Sequence, residues 1–335
     1  MEKIRIAQVG TNGMTHAIQT FQSIRKQSDV FDLVGIAEPI AEWKKNLTAP
    51  AYRDVPQYTV DALLQMDDLD AVAIETNEEH MTEYAQMFAE KGIAVHMDKP
   101  GSPDHAAFTK LARTLQSQHL PFHLGYMYRF NPMILRAYDA IAAGQLGDIL
   151  SVEAHMSCLH NAGNRRWLGR FPGGMMFYLG CHLVDLVYRL QGMPEEVLPM
   201  NTVSGVDSVE AEDCGFAVLR YKKGVSFVKT TAVEINGFAR RQLVISGTKG
   251  TVEIKPLEMV SGAGLQTLGC YTTLDMAKSW ADHSDKWETE VYDRYDAMML
   301  DFARLVRKEY ENPYDYDYEI RLHELLLRCC GADPV

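Results

Sequence analysis

Ile93-Ala94-Val95-His96-Met97-Asp98-Lys99-Pro100 is the stretch on which the fold turns. Its apolar start reads as a buried parallel strand, and its end carries an acid, a base and a proline in succession. Open α/β sheets bind ligands beyond the carboxyl ends of their strands, so Asp98 and Lys99 stand where chemistry is done. A lysine in that position could equally be a solvated loop residue. The flanking sequence decides between the two.

Upstream, a helix over Glu79–Lys91 stops at Gly92, a residue suited to the left-handed position after a helix. Before it come a helix near Val60–Met66 and a buried strand, Leu69–Ile74, that ends in Glu75-Thr76-Asn77. Phe31–Ala37 is a further strand and ends in Glu38, an acid placed to accept from an adenosine ribose and to repel a 2′-phosphate. Lys44 and Lys45 follow closely and leave NADP open beside NAD. The first strand, Ile4–Val9, runs into Gly10-Thr11-Asn12-Gly13-Met14-Thr15-His16 and then an amphipathic segment to about Lys26. Strand, glycine turn and helix in that order suit a dinucleotide pyrophosphate, which sits on N–H groups at a helix start. Counted from Gly10, a G-x-G-x-x-G fingerprint would need glycine at Asn12 and Thr15, and Gly13 is out of phase. Downstream, helix Pro103–Gln118 and strand Pro121–Gly125 complete a βαβ series with short connections, which predicts a doubly wound parallel sheet in residues 1–125.

A chain of 335 residues suits two domains, and residues 126–335 form the second. A formal charge of -12 with no basic stripe argues against nucleic acid as a partner. Met1 leads directly into a strand with no signal-peptide pattern, so a cytoplasmic protein is expected. The cysteines form no C-x-x-C unit, and no apolar run is long enough to span a bilayer.

Ile149–Met156 alternates as the strand that opens the second domain. Asn161–Trp167 reads as a loop, continuing to Phe171-Pro172-Gly173-Gly174. It could close over a polar substrate, with Trp167 offering a flat face to a sugar ring and Arg165 and Arg166 offering hydrogen bonds, or be a plain surface loop. Met175–Leu190 is helical, and Tyr178, His182 and Asp185 at i, i+4 and i+7 share a face. Hairpins follow: Gly215–Tyr221 with Val225–Val233, and Gln242–Ser246 with Thr251–Lys255. Helices Tyr292–Tyr310 and Tyr318–Cys330 close the chain, with Tyr314–Tyr318 as a solvated connection. A metal site from Glu153, His155 and His182 would require the strand and the helix to converge, and no metal is expected.

The glycine turn, Thr76-Asn77-Glu78-Glu79-His80, Met97-Asp98-Lys99-Pro100, Gly125-Tyr126-Met127-Tyr128-Arg129-Phe130-Asn131-Pro132 and Gly173–Asp185 occur in one order and spacing. Together they resemble the glucose-fructose oxidoreductase / inositol dehydrogenase / MocA family over nearly the whole chain. The resemblance implies an N-terminal Rossmann domain and a C-terminal α/β domain with a large open, mostly antiparallel sheet, whose exposed face makes a homodimer or homotetramer. It places Lys99 near the nicotinamide and the substrate hydroxyl, makes Pro100 a proline often cis in relatives, and puts His182 where the family has its acid/base. It implies a cofactor set of Gly10, Asn12, Gly13, Met14, Glu38, Thr76, Asn77, His80, Asp98 and Lys99, and a substrate set of Tyr128, Arg129, His155, Arg166 and Trp167. The family's D-x-G-x-H is here Tyr178-Leu179-Gly180-Cys181-His182, with tyrosine in place of the aspartate.

The expected reaction is NAD-dependent (NADP being possible) oxidation of a secondary hydroxyl of a sugar or polyol. His182 would take the hydroxyl proton, and Lys99 would stabilise the developing alkoxide. Asp185 would orient His182, hold another hydroxyl or serve packing. Tyr178 would act as a donor, since a phenol is not an anion at neutral pH. Two alternatives stand beside it: retained NAD used for transient oxidation in a net elimination or hydrolysis, and a non-catalytic dinucleotide-binding regulator.

Overall fold

Strands apolar on both faces must be covered on both, and the first part of the chain meets that demand with a parallel sheet. The computed structural model describes residues 2–262, 264–278 and 283–333. Strands β1 (Ile4–Val9), β2 (Phe31–Ala37), β3 (Gln57–Tyr58), β4 (Ala71–Ile74), β5 (Ala94–Met97) and β6 (Phe122–Leu124) all run parallel, in the order β3-β2-β1-β4-β5-β6. Helices α1 (Ala17–Lys26), α2 (Val60–Leu64), α3 (Glu78–Glu90) and α4 (His105–Ser117) make the crossovers. Strand order reverses between β1 and β4, so their carboxyl ends flank the crevice in which such sheets hold ligands. Ala73, His96 and His123 pair across β4, β5 and β6, and their side chains therefore share one face. Glu75 and Asp98, each two residues further on, continue that face towards the crevice.

Residues 295–323 pack with this first unit. Phe302 packs tilted against His96 at a ring separation of 5.7 Å and stacks on His123 at 5.5 Å, and Asp296 accepts from Ser23 at 2.9 Å. A single cut at residue 125 leaves this segment with the second domain. Its return follows from the need to cover the face on which the two histidines lie.

The second unit holds residues 127–294 and, among the described residues, 324–333. It contains α5 (Pro132–Ala142), β7 (Ile149–His155), α6 (Ala162–Leu168), α7 (Cys181–Gln191), β8 (Glu196–Pro199), β9 (Cys214–Arg220), β10 (Val225–Thr231), β11 (Gln242–Gly247), β12 (Gly250–Ile254), a small hairpin of β13 (Met259–Ser261) and β14 (Gly264–Gln266), β15 (Leu268–Thr273) and β16 (Asp285–Glu288). The large sheet runs β16-β15-β12-β11-β7-β10-β9-β8 and is antiparallel except between β7 and β10. Alternation fixes its inner face: Val152, Ala154, Ala217, Leu219, Val228, Leu243 and Ile245 are all fully buried. α7 packs on β7 and β10 with Leu183, Val184, Leu186 and Val187 buried. Helices α8 (Arg294–Val306) and α9 (Tyr316–Cys329) end the chain.

Three local expectations change. Asn161–Trp167 is not a loop but the N-cap and nearly all of α6, because the Asn161 side chain caps it by accepting from Asn164 N–H at 2.9 Å. Met175–Leu190 is not one regular helix: a π-turn over Met176–Gly180 precedes α7. The supposed connection at Tyr314–Tyr318 enters α9 at Tyr316, with Asp315 accepting from Tyr318 N–H at 2.8 Å.

Candidate active site

At the end of β1, Gly10 has φ +105°, and a side chain there would meet the Glu75 and Thr76 backbone at 2.3–2.4 Å. Only glycine lets the turn come this close to the end of β4. Asn12 fastens the two together: its N–H donates to Glu75 O at 3.2 Å, and its amide donates to Thr76 O at 3.3 Å. Its Oδ1 in turn accepts from Met14 N–H at 2.9 Å. Asn12 thus organises the turn where the fingerprint has a second glycine. Glu38 accepts from the Thr11 hydroxyl at 2.6 Å, from Thr11 N–H, and from Ile40 N–H at 2.7 Å. Burial pushes its carboxyl up, against these hydrogen bonds and Lys44, which lower it. Trp43 lies beside Gly13 and donates its indole N–H to Asn77, while Asn46 donates to Thr11 O at 2.7 Å. Thr76 and Asn77 are buried at the end of β4, whereas His80 is half-buried in the first turn of α3, its ring 3.7 Å from Glu83.

Beyond β5, Lys99 is 1% exposed and shares its surroundings with three buried carboxyl groups, Glu75, Glu78 and Asp98. The Asp98 carboxylate accepts from Lys99 N–H at 2.8 Å and lies 3.4 Å from His16 Nδ1. Burial raises its affinity for a proton, but His16 and Lys99 outweigh that and hold it below the usual carboxylate range. Burial pushes Glu78 up to about 8 although Lys99 opposes it, and drives Glu75 well up, helped by Asp98. Burial thus favours the protonated form of both acids. The Lys99–Pro100 bond is cis.

In the second unit, the π-turn sets down α7 with His182 buried and its ring edge-on to Tyr128 at 5.0 Å. Tyr128 donates to Glu258 at 2.7 Å and accepts from Arg241 at 2.9 Å, and Arg294 donates to both Glu258 oxygens at 2.7 Å. Asp185 is buried on α7 three residues beyond His182. Both its oxygens accept from Arg129, at 2.7 to 3.1 Å, so that two residues with separate expected roles form one buried ion pair. Tyr178 packs edge-on against Trp167 at 5.2 Å and lies 6.1 Å from the His160 ring. Trp167 also meets Phe171, Arg166 is exposed on α6, and the buried neighbour Arg165 is held by Asp207 and Asp213. His155 contacts Ser157 and Glu234, each at 2.9 Å; burial lowers its pKa, against Glu234, which raises it. Among the described residues, no group of three or more potential ligands could hold a metal.

Residues 4–126 match the oxidoreductase family with an NAD-binding Rossmann fold, and residues 134–253 match the GFO/IDH/MocA C-terminal domain. The chain belongs to the GFO/IDH/MocA oxidoreductase family. An uncharacterised oxidoreductase of Schizosaccharomyces pombe is 26% identical over 66% of this chain, which spans 61% of that relative's length. A D-xylose 1-dehydrogenase (NADP(+)) of Haloferax volcanii is 24% identical over 69% of this chain and 70% of its own. The solved structure of a 3-ketoreductase from Actinomadura kijaniata, in complex with NADP and TDP-benzene, superposes with a TM-score of 0.79 at 16% identity, covering 97% of this chain and 96% of that one, and shows the shared fold.

For a GFO/IDH/MocA chain the dinucleotide is the implied cofactor, and the residues at the reversal of strand order fit it. Gly10 and Asn12 bring the start of α1 to the crevice, Glu38 stands fixed at the end of β2, and Thr76 and Asn77 close the end of β4. His16, Trp43 and Asn46 were not in the expected set. His16 was visible in the turn itself, whereas nothing local in Trp43 or Asn46 signals their contact with it. Glu258, Arg241 and Arg294 were likewise missed, since they join Tyr128 from distant points in the chain. Among the described residues, no helix is long and apolar enough to cross a membrane.

Proposed function

We propose that this protein is an NAD-dependent dehydrogenase, acting reversibly on a secondary hydroxyl of a sugar, sugar derivative or polyol. Residues 1–125 supply most of the cofactor-binding part and residues from 126 onward the substrate-binding part, with 295–323 completing the former. The observation that carries the reading is the buried Lys99 and Asp98 beyond β5 with Glu75 and Glu78 beyond β4, beside the glycine turn. A bound nicotinamide dinucleotide supplies the hydride acceptor or donor. Lys99 donates a hydrogen bond to the reacting oxygen and stabilises its developing charge. His182, an imidazole able to exchange protons near neutrality, takes or returns the hydroxyl proton. Tyr128, locked by Glu258 and Arg241, fixes one edge of the His182 ring.

Glu38 supports NAD as the preferred dinucleotide, since a buried acid at the end of β2 disfavours a 2′-phosphate. The NADP named for two of the relatives keeps the second cofactor in the test. Phe216, Val218, Phe227 and Val244 line the outer face of the large sheet half-buried and support a homo-oligomer formed through that face. The deciding experiment is mass spectrometry of small molecules released on denaturation, followed by NAD and NADP binding and a sugar and polyol panel. Lys99→Ala should lower turnover by about 100-fold or more while dinucleotide binding persists. Undiminished turnover in that variant overturns the reading.

A further inference from the structure

We propose that Glu75, His96, His123 and Asp301 form a proton conduit between the buried acid cluster around Lys99 and solvent. The proposal rests on the reading of this unit as the cofactor-binding part of a dehydrogenase, in which each hydroxyl oxidised by hydride transfer also yields one proton. A site as closed as Lys99's has to pass that proton on.

The four groups make a line of short steps. Glu75 Oε1 lies 3.8 Å from His96 Nε2, His96 Nδ1 lies 2.7 Å from His123 Nδ1, and His123 Nε2 lies 3.8 Å from Asp301 Oδ2. Closure by about 1 Å brings the outer two steps to hydrogen-bond length. Side-chain exposure rises along the line, from 0% at Glu75 and His96 through 5% at His123 to 16% at Asp301. The line has a cause in the fold. His96 and His123 are register partners on adjacent parallel strands, Glu75 continues the same face, and α8 brings Asp301 and the covering Phe302 to it. The ionisable groups facing it include Asp98, Lys99, Glu78 and Tyr52 at the inner end, and Tyr310, which donates to Asp301 at 2.6 Å, with Arg304 at 4.0 Å, at the outer end.

The chemistry has a consistent polarity. A neutral imidazole carries one N–H, so a short contact between two Nδ1 atoms requires one ring to donate and the other to accept. With the proton on His96 Nδ1, His96 Nε2 is a base facing Glu75, and His123 carries its proton on Nε2 facing the Asp301 carboxylate. Burial disfavours a charge on His96, its pKa lowered to about 4, and favours the protonated form of Glu75. In one passage the Glu75 proton moves to His96 Nε2, the His96 Nδ1 proton to His123 Nδ1, and the His123 Nε2 proton to Asp301 and water. Glu75, left as a carboxylate, is reprotonated from the Lys99 ammonium, and Lys99 in turn from the hydroxyl proton first taken up by His182. One proton enters and one leaves, which puts both rings in the opposite tautomer, and a proton passing back along the line in the reverse reaction restores them.

The test uses the full chain with NAD⁺ as probe. A cationic ring arriving near protonated Glu75 and Glu78 expels a proton, which a pH-indicator dye follows by stopped flow while tryptophan quenching follows binding. In His123→Phe and in the milder Asp301→Asn, dinucleotide affinity should stay within about twofold, and proton release should slow at least about tenfold. In parallel, ¹⁵N-histidine spectra of the unliganded wild type should show one ring protonated at Nδ1 and its partner at Nε2. Binding with wild-type release rates, or two rings both protonated at Nε2, overturns the conduit alone. Failure of both NAD⁺ and NADP⁺ to bind overturns the dehydrogenase reading and the conduit's purpose with it.

Discussion

Asp185→Ala separates two roles that the sequence alone leaves superposed. Asp185 and Arg129 are 1% and 3% exposed and joined by three hydrogen bonds between 2.7 and 3.1 Å. Removing the carboxylate strands a guanidinium in the interior, and breaking a buried pair from one side costs about 3–5 kcal/mol. Against a total stability of roughly 5–15 kcal/mol this is a large fraction. For a unit of 150–250 residues, in which 1 kcal/mol moves Tm by roughly 2–4 °C, the second unit's transition should fall by about 6–20 °C. Calorimetry of wild type, Asp185→Ala and the double variant Arg129→Met/Asp185→Leu provides the assay. The double variant should regain most of the lost stability, because a packed apolar pair can replace a buried ion pair at little cost. At low temperature, where all three are folded, it should also keep most of the turnover. A Tm drop below about 2 °C together with lost turnover would refute a structural role and return Asp185 to the reacting centre.

Other consequences are as direct. Gly10→Ala places a methyl within 2.3 Å of the Glu75 backbone at a φ of +105° and should cost about 1–3 kcal/mol from strain, with dinucleotide affinity falling sharply by titration calorimetry. Glu78→Gln tests a pH dependence. The folded-state pKa of about 8 lies above the unfolded value near 4.5, so the native state holds the extra proton and this contribution is complete below pH 4.5 and lost as pH rises through 8. The Tm advantage of Glu78→Gln over wild type should therefore grow between pH 4.5 and 8 and then level off. Glu38→Ser removes the acid held by Thr11 and Ile40, and should raise the NADP-to-NAD ratio of binding constants. An unchanged ratio would remove Glu38 from cofactor choice.

The parallel sheet was legible because strands covered on both faces must be apolar throughout and must be punctuated by turn residues, as at Gly10, Glu38 and Gly92. Lys99 was legible for the same reason: a charged residue directly after such a run has only the strand's end to occupy. Pairings across long separations left no local trace. Nothing near Asp185 points to Arg129, 56 residues earlier, and the i+3 spacing from His182 suggested a shared task instead. The π-turn at Met176–Gly180 was hidden because one inserted residue scarcely disturbs an apolar periodicity. α6 was hidden because Gly163 and Asn164 have low helix propensity, and the Asn161 cap that offsets them is as common in loops. The return of residues 295–323 is a demand of the finished sheet and is written in no single stretch.

That return bears on how the protein is made. A ribosome delivers the six strands of the first unit long before it delivers Phe302 and the rest of the covering segment. At about 5–20 residues per second, the interval from residue 126 to residue 323 lasts roughly 10–40 s. Throughout it the face bearing His96 and His123 stays open, and the half that emerges first cannot finish first. The second unit can complete most of its large sheet in the meantime, whereas the first waits for the tail of the chain to cover that face.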